Sequence, residues 1–180
     1  TAPPPVRLSN DIIENDFSRI QLGAGGLKSF FDKRLRREVL RTEKFFGGEI
    51  LQFTAPGQAW EDPEIVTMDD FDRTANHPFT MEGPFRGTVR TTAVCSSQFK
   101  HFALRQHFNL YHGLDRVEIE IEVANWDGQK DRELRVAFPI NIEEARLSYE
   151  VPFGTVEMGK DELDFSLLPR DSYPTIFNPE

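Results

Sequence analysis

A single cysteine, Cys95, stands among the 180 residues, which excludes an intrachain disulfide framework while leaving the compartment open, because large secreted domains also fold without bridges. Apolar runs are short. No stretch approaches the roughly 18 residues of a membrane-crossing helix, and the first residues lack a basic segment followed by an apolar one. The residues given are therefore expected to be soluble, with no membrane insertion and with localisation undetermined. Positive charge is also scarce: 21 Lys and Arg face 30 Asp and Glu, for a net charge of −9 and a pI near 5.0. No basic stripe offsets this, so the surface repels phosphate backbones and anionic lipid, and nucleic acid is excluded as a partner. No internal repeat of fixed period emerges. What is abundant is phenylalanine, with 16 copies, enough with the spread Leu, Ile and Val to fill the core of one domain. The opening Thr1-Ala2-Pro3-Pro4-Pro5 reads as stiff, extended polyproline, so residues 1–10 are expected to be a linker from a preceding domain.

Period-two alternation dominates the rest. In Val117-Glu118-Ile119-Glu120-Ile121-Glu122-Val123 β-branched residues hold every odd position and glutamates every even one, the pattern of a half-buried antiparallel strand. The same alternation places Phe102, Leu104, Phe108 and Leu110 on one face, then Leu134, Val136, Phe138 and Ile140, then Leu147, Tyr149, Val151 and Phe153. Turn signals at His112-Gly113-Leu114-Asp115 and Asp127-Gly128 separate these segments, which are expected to form a meander. Upstream, Phe17 to Leu22 and Leu27 to Phe31 flank Gly23-Ala24-Gly25-Gly26, where glycine admits positive φ and a hairpin is expected. Between Lys33 and Phe46 the sequence reads as a turn and a short strand. The Pro-, Asp- and Asn-rich stretch from Ala55 to Glu82 reads as a long excursion off the sheet, the kind of segment that carries sites. After Phe153 the alternation fades, and a tail across the surface is expected.

Few residues suggest chemistry. Glu118, Glu120 and Glu122 lie roughly 7 Å apart in pairs along a strand, within the spacing of glycosidase carboxylates. Three like charges in a row more often face solvent, however, balanced here by Arg105 and Arg135 on neighbouring strands. His101 and His107 share a strand face but stand roughly 20 Å apart at about 3.3 Å per residue, too far to ligate one ion. His107 and His112 point to opposite faces. Cys95 sits beside Ser96-Ser97 without a Cys-to-His signature and reads as a strand-end thiol. The glycines at 23, 25 and 26 precede a strand rather than a helix, so they form no phosphate cradle. Trp60, Trp126 and Tyr111 could stack on sugar rings. Trp126 precedes the Asp-Gly turn, where an aromatic packs the end of a sheet. Trp60 lies in the long loop beside Glu61 and Asp62, whose carboxylates can accept hydrogen bonds from hydroxyls, so Trp60 and Asp62 are the candidate substrate-binding residues.

The motifs also have an order. Ile13-Glu14-Asn15-Asp16-Phe17-Ser18-Arg19-Ile20 is followed by Gly25-Gly26-Leu27-Lys28-Ser29-Phe30-Phe31-Asp32-Lys33, then by Gly83-Pro84-Phe85-Arg86-Gly87-Thr88-Val89-Arg90, Leu110-Tyr111, Leu134-Arg135-Val136-Ala137-Phe138-Pro139 and Tyr149-Glu150-Val151-Pro152-Phe153-Gly154. From about Ile12 to Glu157 this series resembles the first part of the C-terminal β-sandwich region of glycoside hydrolase family 38, the α-mannosidases. The resemblance implies an all-β, antiparallel β-sandwich of the galactose-mutarotase-like supersandwich kind over 11–158. A tail over 159–180 would follow, with the sandwich continuing in the parent chain. It implies that the zinc ion, its His and Asp ligands and the aspartate nucleophile belong to a preceding α/β domain. None of those motifs appears here, so neither a catalytic residue, a metal site nor a cofactor is expected in this chain. Zinc is expected in the parent's catalytic domain. The implied partners are that catalytic domain and mannose-containing glycans, with the sandwich supporting the former and possible lining of the sugar pocket by Trp60 and Asp62. Two other functions fit an all-β domain of this kind: an independent carbohydrate-binding module, suggested by Trp60 and its acidic neighbours, and a mutarotase-type sugar epimerase, suggested by fold analogy.

Overall fold

Alternating sequence becomes layered structure because a strand that turns one row of side chains inward needs a second sheet to cover that row. The computed structural model of the protein describes residues 7–8, 11–55 and 67–160. Its first sheet has the order β1 (Arg7–Leu8), β2 (Ile12–Glu14), β3 (Ser18–Gly23), β4 (Gly26–Asp32) and β5 (Arg37–Glu38). A second consists of β8 (Phe79–Arg86), β9 (Arg90–Gln98), β10 (Ala103–Tyr111) and β11 (Val117–Ala124), paired in sequence order. The third places β6 (Glu49–Thr54) between β12 (Arg132–Ala137) and β7 (Thr67–Arg73). A separate hairpin joins β13 (Ser148–Val151) to β14 (Gly154–Glu157). Every pairing is antiparallel. The only helical element among the described residues is the 3-10 turn Thr74–Asn76, so none of their helices is long and apolar enough to cross a membrane.

Two apolar clusters make this a sandwich. Ile13, Ile20, Leu22 and Leu27 of the first sheet meet Ala93, Cys95, Phe108 and Leu110 of the second. Ile50 of the third sheet meets Leu104 of the second together with Phe99 and Phe102 from the β9–β10 turn. The four-stranded layer is thus covered by two sheets, the five-stranded one and the three-stranded one, each packed on a different part of it. Those two sheets are tied to each other by bridges from Leu27 to Gly47 and from Leu40 to Ile140. The predicted glycine hairpin is present between β3 and β4, and Gly26 has φ +142° with an added Cβ pointing onto the Gly47 carbonyl oxygen. A side chain there would collide with backbone, so only glycine fits.

Four expectations change. The stretch from Ala55 to Glu82 is not wholly an excursion, because β7 and the start of β8 pair within it. Thr67–Arg73 is mostly polar and so shows no apolar alternation, but its backbone pairs with β6. The meander stops at β11: β12 pairs with β6 in another sheet instead. Arg135 therefore does not face the glutamate row; it bonds Glu133 and lies over the Phe53 ring, while Arg105 stands opposite Glu122 as expected. The chain after Phe153 also pairs, as β14.

Asn15 links the two main layers. Its Oδ1 accepts from the Phe17 and Ser18 N–H groups at 2.9 and 2.7 Å, and its Nδ2 donates to the Tyr111 and Leu114 carbonyls at 2.6 and 3.2 Å. The β2–β3 turn is thereby fastened to the β10–β11 turn. Asn15→Ala leaves these buried groups unpaired and is expected to cost about 2–3 kcal/mol in urea unfolding. Asn15→Asp keeps the acceptors but turns an oxygen toward two carbonyls, so it should be no milder. A cost below about 0.5 kcal/mol for either, the range of ordinary surface substitutions, would contradict the clamp.

Candidate functional site

The loops at one end of the sandwich gather the side chains best suited to hold a ligand. There β11 ends, β12 begins, and the β9–β10 turn carries Phe99, His101 and Phe102. The apolar row of β9 and β10 runs out at this turn, and the exposed end of the core is closed by rings: Phe99 and Phe102 stack at 4.5 Å with planes 13° apart. His77 covers Phe99 from one side at 4.3 Å, and Trp126 covers Phe102 from the other at 5.4 Å and 19°. Trp126 packs the sheet end as expected of an aromatic before an Asp-Gly turn, but 39% of it stays exposed.

Asp127 is held beside it. Its N–H donates to the His101 carbonyl at 3.1 Å. Its Oδ2 lies 2.7 Å from His101 Nδ1, and its Oδ1 accepts the Gln129 N–H at 2.9 Å. A carboxylate can only accept, so His101 carries the proton on Nδ1. The Asp127 carboxyl is pulled below its ordinary pKa, first by the His101 hydrogen bond and then by the Gln129 N–H. Asn125 at φ +56° and Gly128 at φ +86° give the loop the left-handed turns it needs to bring Asp127 back over the β9–β10 turn.

The same loop reaches β6 at its other end. Ala55 N–H donates to the Asp131 carbonyl at 2.9 Å, and Thr54 pairs with Thr67. Arg132 donates from Nη1 to Thr54 Oγ1 at 2.8 Å and from Nη2 to Asp70 Oδ2 at 3.4 Å, while its buried Nε has no partner among the described residues. The chain on both sides of 56–66 is thus anchored at this end. Trp60 and Asp62 themselves lie outside the described residues.

The other candidates are dispersed. His112 is buried at the opposite end, its Nε2 3.0 Å from Thr91 Oγ1 and its Nδ1 3.2 Å from the Thr88 carbonyl. His107 stands opposite Glu120 in register, so the three histidines do not converge. Glu118 accepts from the Tyr111 hydroxyl at 2.6 Å and faces Arg116, and Glu122 faces Arg105; this is a charged face with local partners. Burial pushes the Cys95 thiol up to about 11, which leaves little thiolate for nucleophilic attack. Among the described residues there is no group of three His, Cys, Asp or Glu side chains able to hold a metal ion.

Sequence reasoning passed over His101 and Asp127 as partners. The available signal was Trp126-Asp127-Gly128 directly after a strongly alternating strand; what closed the pair, the β9–β10 turn, is 26 positions away in sequence.

Comparison with known proteins identifies the relatives of this fold. It is similar to the crystal structure of an α-mannosidase from Enterococcus faecalis, with a TM-score of 0.66 and 13% sequence identity. The match covers 82% of this chain and 19% of that one, so the present chain spans a small part of that enzyme's length. At such identity the likeness concerns the fold. No curated protein matches the sequence. The family model described as the glycosyl hydrolases family 38 C-terminal domain, however, matches residues 13–166, nearly all of the sandwich and the hairpin that follows it. The chain therefore belongs to the glycosyl hydrolases family 38 C-terminal domain family.

Proposed function

We propose that this domain is the non-catalytic β-sandwich of an α-mannosidase-like glycoside hydrolase, supporting a catalytic α/β domain of the same parent chain and lining part of its sugar pocket. The family match over residues 13–166 carries the reading. Two further observations support it. The candidate nucleophiles and carboxylates described above are buried, inert or engaged with local partners rather than converging. The apolar side chains of Phe138, Ile140 and Ile142 are exposed in succession where the chain bridges to Leu40, a surface that contact with the catalytic domain would cover. Zinc would belong to that domain, as the family resemblance implies. Trp60 and Asp62, which follow Ala55 in the sequence, would contribute to sugar binding.

The expected result is that the pure 180-residue chain does not accelerate hydrolysis of an aryl α-mannoside, with or without added zinc. Turnover above the buffer rate that survives repurification would overturn the non-catalytic role.

A further inference from the structure

We infer that the outer face of Trp126, with the Asp127 carboxylate at its edge, is a stacking platform for one pyranose ring of a neutral glycan. The inner face of the indole is sealed by Phe102, which with Phe99 is buried and continues the column of rings to His77. The ring therefore has a fixed orientation, and little side-chain freedom remains to be lost when a ligand settles on it. A flat apolar surface of this kind matches the C–H face of a sugar, which buries apolar area while leaving its hydroxyls at the rim.

Those hydroxyls need acceptors beside the ring, and the carboxylate of Asp127, the next residue in the chain, is the group that would supply them. Half of its side chain is exposed, and its two described partners, His101 Nδ1 and Gln129 N–H, occupy one site on each oxygen. A carboxylate offers about four lone-pair sites, so one on each oxygen is left for a pair of adjacent hydroxyls. The partners already in place also fix the carboxylate's plane before any ligand arrives. The net charge of −9 disfavours a phosphorylated or acidic ligand here. A cation could also sit over the indole, and it forms the competing outcome. The choice of mannose among neutral sugars rests on the proposed function; the platform rests on the ring and the carboxylate.

The test uses the indole N–H signals of the two tryptophans in a nitrogen-labelled 180-residue chain, titrated with methyl α-mannoside and with a mannotriose. The Trp126 signal should shift saturably, with a Kd in the millimolar range, roughly −4 kcal/mol. Asp127→Asn should weaken binding about tenfold by removing charge-assisted acceptors. Trp126→Ala should abolish it, with the remaining amide spectrum showing the fold retained; if that variant unfolds, Asp127→Asn decides. A shift of Trp60 alone, an unchanged Trp126 signal, Asp127→Asn binding with wild-type affinity, or tighter binding of tetramethylammonium than of either sugar would each overturn the platform. None of these outcomes bears on whether the chain turns over a mannoside.

Discussion

Arg73→Met is expected to destabilise the protein by about 3–5 kcal/mol, a large share of the roughly 5–15 kcal/mol that holds a domain of this kind together. The reason is the carboxylate it would strand. Glu49, at the start of β6, is 0% exposed. It accepts from Arg73 Nε at 2.6 Å and Nη2 at 2.8 Å, from the Phe46 N–H at 2.8 Å and from the Ala75 N–H at 3.2 Å. Arg73 in turn donates to the Lys44 carbonyl at 2.7 Å and stacks over the Phe45 ring at 4.9 Å. This one pair gathers the segment before β6, β6 itself and the 3-10 turn after β7. Methionine retains part of the arginine's apolar bulk but leaves a buried anion with only two N–H donors. Urea unfolding should show a lower midpoint with an unchanged slope. Because the double variant leaves no unpaired buried charge, Glu49→Gln combined with Arg73→Met should recover part of the loss. A double variant as unstable as the sum of its singles would refute this account.

Phe108→Ala should cost a comparable 3–5 kcal/mol, or about 6–20 °C in Tm for a chain of this length. Phe108 is 0% exposed on β10, the second strand of the covered layer, and packs in the cluster that joins the first and second sheets. Its ring edge lies near Gly48, at the seam where the third sheet begins. Removing it opens a cavity where two layers meet, and close-packed neighbours relax only partly into such a space. Phe85→Ala is the control. Phe85 is mostly exposed on β8, so its loss should stay near the ±0.5 kcal/mol of a surface change. Equal effects at the two positions would show that the core does not lie between these layers.

Much of the all-β architecture is visible in the order of the residues. The alternation from Val117 to Val123 is β11, the row Leu104, Phe108 and Leu110 is the inward face of β10, and the glycines after Leu22 make the β3–β4 turn. A period of two is a property of the single strand, so one strand's sequence is enough to reveal it. The ordered motifs carried the family as well. Hidden from the sequence were β7, whose residues are mostly polar, and the Glu49–Arg73 pair, whose members are 24 positions apart.

At the candidate site the division is similar. Trp60 and Asp62, the candidate substrate-binding residues of the sequence, lie outside the described residues. Trp126 was legible as an aromatic at a sheet end. Its stacking on Phe102, and the fixing of the Asp127 carboxylate by a histidine from another turn, were not.

What the sequence determined by itself is therefore which residues form strands, which face of each strand is apolar, and which family the ordered motifs resemble. The tertiary structure alone decided which strand each edge meets. Alternation assigns faces but is the same for every possible neighbour, so the departure of β12 from the meander to pair with β6 could not be read from its own residues. The same limit hid the grouping of His101, Trp126 and Asp127, because contacts across a turn depend on how two separate strands end together.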